Sequence, residues 1–258
     1  MKHQLPYQNP HLPIEQRIDD LMSRMTLDEK AAQVMSIWDR KSEFMTEDGD
    51  FIAENAAVLK DGLGIVCRPS ENRHGKNLGP RKNAEFANAM QKYAVEQTRL
   101  GIPILFHEEA LHGQQAPGAV NFPQAIALAS TWDTELVRQV YDAIAAEVRA
   151  RGGHHVLTPV VDVAREPRWG RVEETFGEDP YLAAEMGAAA IRGFQGAKGK
   201  IDEKHVAATA KHFAAHGQPE NGSNCGPVTV SERLMREVFL YPFEVAVKRE
   251  GVKAIMVT

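Results

Sequence analysis

The sequence predicts an α/β protein built on a parallel sheet. Short, nearly continuous apolar runs read as strands covered on both faces, and amphipathic helical stretches separate them. The chain has 258 residues, 43% of them hydrophobic, enough to bury a sizeable core. Periodicity leaves two architectures open, an open doubly wound sheet and a (β/α)8 barrel.

Thr26-Leu27-Asp28-Glu29 has the form of a capping box, in which the threonine oxygen takes an amide proton and the glutamate reaches back. It opens a predicted helix carrying Ala31, Val34, Met35 and Trp38. Gly62–Cys67, with its β-branched pair, is the first predicted strand. Asn83–Leu100 follows as a helix with Phe86, Met90, Tyr93 and Ala94 at helical spacing, and Pro103–Phe106 as the second strand. Thr134–Arg151 places Val137, Tyr141, Ile144 and Val148 on one helical face, and Gly152-Gly153 stops it. Val156–Val161 is the third strand, Tyr181–Phe194 an alanine-rich helix and Val206–Ala210 the fourth strand. Glu232–Arg249 reads as a helix behind a Ser231 cap, and Ala254–Thr258 as a fifth strand with an unpaired apolar edge. Met1–Pro13, Arg68–Lys82 and Gly217–Pro227 read as loops, none long enough to divide residues 1–258 into two domains.

Bulk properties exclude several functions. The net charge of −5 comes from both signs interspersed, with no basic footprint for nucleic acid or an anionic membrane. No apolar run approaches the roughly 20 residues that span a bilayer. Residues 1–19 contain no apolar h-region, so the expectation for the chain as given is cytoplasmic, with a periplasmic or secreted destination open if the N-terminus is trimmed. Cys67 and Cys225 lie too far apart in sequence to suggest a metal knuckle or a disulfide framework.

Polar residues follow three strands: Glu109 the second, Asp162 to Arg171 the third, Lys211-His212 the fourth. In a barrel these ends converge on one face. Glu108 and Glu109 read as a carboxylate pair at the mouth. His107 and His112 are one residue too far apart to share a helical face in the manner of a zinc H-E-x-x-H motif, and no metal is expected. Lys211 and His212 are adjacent, so in a regular strand they alternate across it, and only loop geometry could aim both at one ligand. For Trp169 the alternatives are stacking on a bound ligand and plain loop packing. Glu174, Glu178 and Asp179 read as holding arginines and capping the next helix.

An ordered series of motifs runs through nearly the whole chain: MTLDEKAAQ (25–33), GIPILFHEEALHG (101–113), FPQAIALASTWD (122–133), AREPRWGRVEETFGEDP (164–180), AKHFAAHG (210–217) and SERLMREVFLYPFEVAV (231–247). The series resembles the N-terminal domain of glycoside hydrolase family 3, of the β-glucosidase/β-xylosidase type. The resemblance decides between the two architectures: it implies a TIM-type barrel, with about five of eight strands in this stretch. It further implies a retaining exo-β-glycosidase acting on terminal glucosyl or xylosyl residues of a β-linked oligosaccharide or glycoside, without metal or organic cofactor. By the same resemblance Glu109, Arg171, Lys211 and His212 are the residues that bind the sugar. The family's N-acetylglucosaminidases follow their Lys-His run with an Asp-Ser/Thr-His dyad; here KHFAAHGQPENGSNCG matches at His216 and lacks the dyad. The nucleophilic aspartate and the acid/base are therefore expected beyond Thr258, no catalytic residue is placed within residues 1–258, and this stretch alone is expected to be inactive. The alternative is a non-catalytic fragment or sugar-binding module of the same family. Many family β-xylosidases carry glutamate, and β-glucosidases often aspartate, at the position matching Glu109, which implies a bias toward xylose.

Overall fold

A computed structural model describes residues 5–71, 78–196 and 199–258. Among the described residues six short strands run in chain order: β1 (Ser36–Ile37), β2 (Ile65–Cys67), β3 (Leu105–Glu108), β4 (His155–Val156), β5 (Thr209–Phe213) and β6 (Ala254–Val257). The first four form one parallel sheet in the order β1-β2-β3-β4, and β5 pairs in parallel with β6. Parallel bridges His155↔Ala207 and Val160↔Lys211 join the two groups. A doubly wound sheet reverses its strand order at a switch point, whereas these strands neighbour one another strictly in sequence, the arrangement of a (β/α)8 barrel. Among the described residues the far edge of β6 has no partner strand.

The helices are α1 (Ile14–Arg24), α2 (Leu27–Gln33), α3 (Gly79–Gln97), α4 (Ala125–Ala129), α5 (Thr134–Ala150), α6 (Pro180–Gln195), α7 (Glu232–Leu234) and α8 (Tyr241–Lys248). Asp133 caps α5 and Asp179 caps α6, each accepting from amides of the first turn. Gly193 lets α5 approach α6 closely, since a Cβ there would lie 2.5 Å from the Arg138 carbonyl oxygen, and Tyr141 packs on Phe194 with ring centroids 5.0 Å apart. One apolar cluster joins α5, α6 and α8 to β5, and a second joins α3 to β2 and β3.

The structure corrects the predicted elements in three places. The capping box forms as expected, but α2 ends at Gln33, and Ser36–Ile37 is a sixth strand where helix was predicted. The Ile65 amide donates to the Met35 carbonyl at 3.2 Å, and a Cβ on Gly64 would lie 2.1 Å from the Gln33 carbonyl oxygen. Pairing with β2 at that close approach overrides the helical period. The fourth predicted strand is displaced, so Lys211 and His212 lie inside β5 and do not follow its end. The predicted helix Glu232–Arg249 breaks into α7, a π-turn at Met235–Phe239 and α8, whose second residue is Pro242. Of the predicted loops, residues 1–4 and 72–77 lie outside the described residues, and Gly79 already belongs to α3.

Candidate active site

The end of β3, the inside of β5 and the segment after β4 gather the predicted residues on one face. Glu109 directly follows β3. One carboxylate oxygen, Oε2, accepts from Lys211 Nζ at 3.1 Å, and the other, Oε1, from Arg68 Nη2 at 3.3 Å. The Lys211 side chain is 4% exposed, and burial pushes its ammonium pKa down while Glu109 pulls it back up. Glu109 thus lies between two cations, with lone pairs left on both oxygens.

Arg171 belongs to the loop after β4. Glu174 takes its Nε and Nη2 in a fork at 2.9 and 2.7 Å and raises the guanidinium pKa. The remaining edge faces two histidines: Nη2 lies 3.1 Å from His212 Nε2, and Nη1 lies 3.3 Å from His216 Nε2. His212 is held from behind by Asp162, whose Oδ2 lies 2.8 Å from Nδ1. The β5–β6 register shifts between Ala210 and Phe213, breaking the pleat alternation that would send Lys211 and His212 to opposite faces. The structure therefore brings Glu109, Arg171, Lys211 and His212 together, with Arg171 feeling the charges of both Glu174 and Glu109.

Other sequence candidates fall elsewhere. Glu108 is not at the mouth: it is 1% exposed, and its Oε1 accepts the Ser70 amide at 2.9 Å. Burial raises its carboxyl pKa to about 7. The strand pleat turns adjacent residues apart, so two neighbouring carboxylates could not both face the mouth. Trp169 is 2% exposed, donates to Asn224 at 3.0 Å and packs edge-on to His216, which settles it as loop packing. Arg168 is held in a fork by Glu166. His107 and His112 do not converge: His107 meets the His155 ring at 6.2 Å, while His112 Nδ1 bonds the Phe122 carbonyl.

Sequence reasoning gave no role to Arg68, Lys41 or Asp162. Arg68 follows β2 in a left-handed backbone conformation, with its guanidinium 4.6 Å from the Trp38 ring centroid. Beneath it the buried Lys41 ammonium donates to the Cys67 and Arg68 carbonyls at 3.2 and 2.6 Å. Two buried ionisable side chains, Lys41 and Glu108, hold the backbone of one short turn that presents Arg68. The rule that picked out Glu109, a polar residue after an apolar strand, also finds Arg68 when applied to Gly62–Cys67.

A family model described as the glycosyl hydrolase family 3 N terminal domain matches residues 26–258. A putative beta-xylosidase of Formosa agariphila is 36% identical over 251 residues, covering 97% of this chain and 33% of that protein. Among solved structures, a β-glucosidase from Erythrobacter marinus superposes with a TM-score of 0.87 at 36% identity, covering 98% of this chain and 33% of its own. A beta-glucosidase from Listeria innocua in complex with glucose has a TM-score of 0.78 at 30% identity, covering 95% of this chain and 33% of its own. The chain spans about a third of the length of each of these relatives. With barrel topology, motif series and sequence identity in agreement, this chain belongs to glycosyl hydrolase family 3, of which it matches the N-terminal domain.

Proposed function

We propose that this domain grips the terminal β-D-xylosyl or β-D-glucosyl residue of a glycoside for a retaining exo-hydrolase, through Glu109, Arg171, Lys211 and His212. One observation carries the reading: these four side chains form an adjoining set of donors and acceptors at the strand ends. Each sugar hydroxyl both donates and accepts, so it suits a wall where carboxylate oxygens alternate with ammonium and guanidinium N–H groups. The names of the relatives support this substrate class, since they are a putative beta-xylosidase and β-glucosidases, one of them complexed with glucose.

Retention needs two carboxyl groups about 5–5.5 Å apart, one attacking and one protonating. Glu109, Asp162 and Glu174 are each held by a cation or a histidine, which suits them to binding. The reading therefore assigns nucleophile and acid/base to protein outside residues 1–258, and this stretch alone binds without turnover. The test is hydrolysis of aryl β-D-xylosides and β-D-glucosides by residues 1–258 and by the protein extended to its relatives' length. Only the extended protein should turn over, with retained anomeric configuration. Turnover by residues 1–258 that is lost on Lys211→Ala contradicts the reading, and no turnover by either favours a non-catalytic sugar-binding module.

A further inference from the structure

Proton positions at His212 follow from its neighbours. A guanidinium only donates, so His212 Nε2, 3.1 Å from Arg171 Nη2, accepts. The ring proton then sits on Nδ1, facing Asp162 Oδ2 at 2.8 Å. That same oxygen also accepts the His212 backbone amide at 3.1 Å. The Asp162 side chain is fully buried, and its other oxygen has no partner among the described residues. A carboxylate removed from water in this way is costly unless its charge is used.

Asp162 takes the His212 amide, but other bonds hold the strand on either side of it. The Val161 amide donates to the Lys211 carbonyl at 2.8 Å, and the Thr258 amide to the Phe213 carbonyl at 3.3 Å, so the backbone on both sides of His212 is already tied to its neighbours. What Asp162 adds is the direction and tautomer of the ring. We infer that Asp162 is a positioning residue that locks His212 as the Nδ1–H tautomer and aims Nε2 into the site as a hydrogen-bond acceptor.

The consequence for substrate rests on the proposed function. Arg171 has five N–H groups: Glu174 takes two, and His212 and His216 one each, leaving one on Nη1. The one lone pair of Nε2 is taken by Arg171 Nη2, so a sugar hydroxyl that reaches His212 displaces that N–H, donating to Nε2 and accepting from the freed N–H of Nη2. His212 therefore reads that hydroxyl as a donor, a role that fluorine in its place cannot fill.

The test is ring 15N–1H NMR of the 15N-histidine-labelled chain, with His212 assigned by His212→Gln. Wild type should carry the His212 proton on Nδ1. Arg171→Ala, which removes the donor at Nε2, should leave the proton on Nδ1, and adding Asp162→Ala should then move it to Nε2 or into exchange between the two nitrogens while the thermal melt stays cooperative. A wild-type proton on Nε2, a proton that leaves Nδ1 in a folded Arg171→Ala chain, or an unchanged tautomer in a folded chain lacking both Arg171 and Asp162 overturns the inference. If Asp162→Ala does not fold, Asp162→Asn decides: loss of the charge should shift the Nδ1–H resonance, and a resonance identical to wild type overturns the inference. In the extended protein Asp162→Asn should lower kcat/KM about tenfold, the scale of a weakened charge-assisted hydrogen bond, at unchanged Tm. Absence of any glycoside hydrolysis would remove the proposed function and leave the tautomer result standing.

Discussion

The layer between α5 and α6 and the site at the strand ends are both buried, yet opposite kinds of side chain fill them. In the layer, Val137, Ile144, Phe194 and the α6 alanines meet through dispersion and area removed from water. At the site, Lys211, His212 and Asp162 are as deeply buried and are held by charge-assisted bonds between a few atoms. Damage to the first should lower stability, whereas damage to the second should lower binding at nearly unchanged stability.

The largest effect is expected in the layer. Phe194→Ala removes the ring that packs on Tyr141 and should cost about 3–5 kcal/mol, read as a drop in the urea midpoint. If the midpoint barely moves, the helix layer does not hold the fold.

The polar interior should make stability depend on pH. Burial lowers the pKa of His107, His154 and His155 from 6.5 to about 4. The unfolded chain binds the extra protons between those values, so stability should rise as pH rises from 4 to 6.5. Glu108 acts oppositely. Its raised pKa means the folded state holds a proton that the unfolded state releases, so stability should fall as pH rises from 4.5 to about 7. Glu108→Gln should steepen the net rise and leave the variant more stable than wild type at pH 8. Equal urea midpoints at pH 8 would contradict the assignment.

Lys211→Ala sharpens the comparison most. Arg68 still holds Glu109, so stability should change by less than about 1 kcal/mol, while kcat/KM of the extended protein falls about 100-fold. A large loss of Tm with proportionate loss of activity would make Lys211 a structural residue.

The smallest effect concerns selection. Glu109 is one methylene longer than aspartate, and steric discrimination of that size is limited to about 10- to 200-fold. Glu109→Asp should raise the glucoside-to-xyloside ratio of kcat/KM; an unchanged ratio moves selection to another residue.

The two regions also differ in how far the sequence disclosed them. The α5–α6 layer was legible because Val137, Tyr141, Ile144 and Val148 recur at helical spacing, and that face is the buried one. Strand β1 was hidden, because two residues carry no period and Val34 and Met35 also fit a helix; only pairing with β2 reveals it. At the site, the residue types at strand ends marked Glu109, Lys211 and His212 as candidates, and their sugar-binding roles came from resemblance. Glu108 was misread as lining the mouth because one-dimensional adjacency does not say which way a pleat turns each side chain. Lys41 had no local signal, since its partners lie 26 to 27 residues away, and Asp162 was marked as a polar residue after the third strand while its partner His212, 50 residues on, was not legible.

The central claim, that Glu109, Arg171, Lys211 and His212 jointly hold a sugar, is tested most directly by a crystal structure of the extended protein soaked with xylose or glucose. The account predicts a pyranose at the ends of β3 and β5, its hydroxyls within hydrogen-bond distance of all four side chains and one of them bridging His212 Nε2 and Arg171. A sugar bound elsewhere on the barrel, or one on this face that leaves Lys211 and His212 untouched, would contradict it.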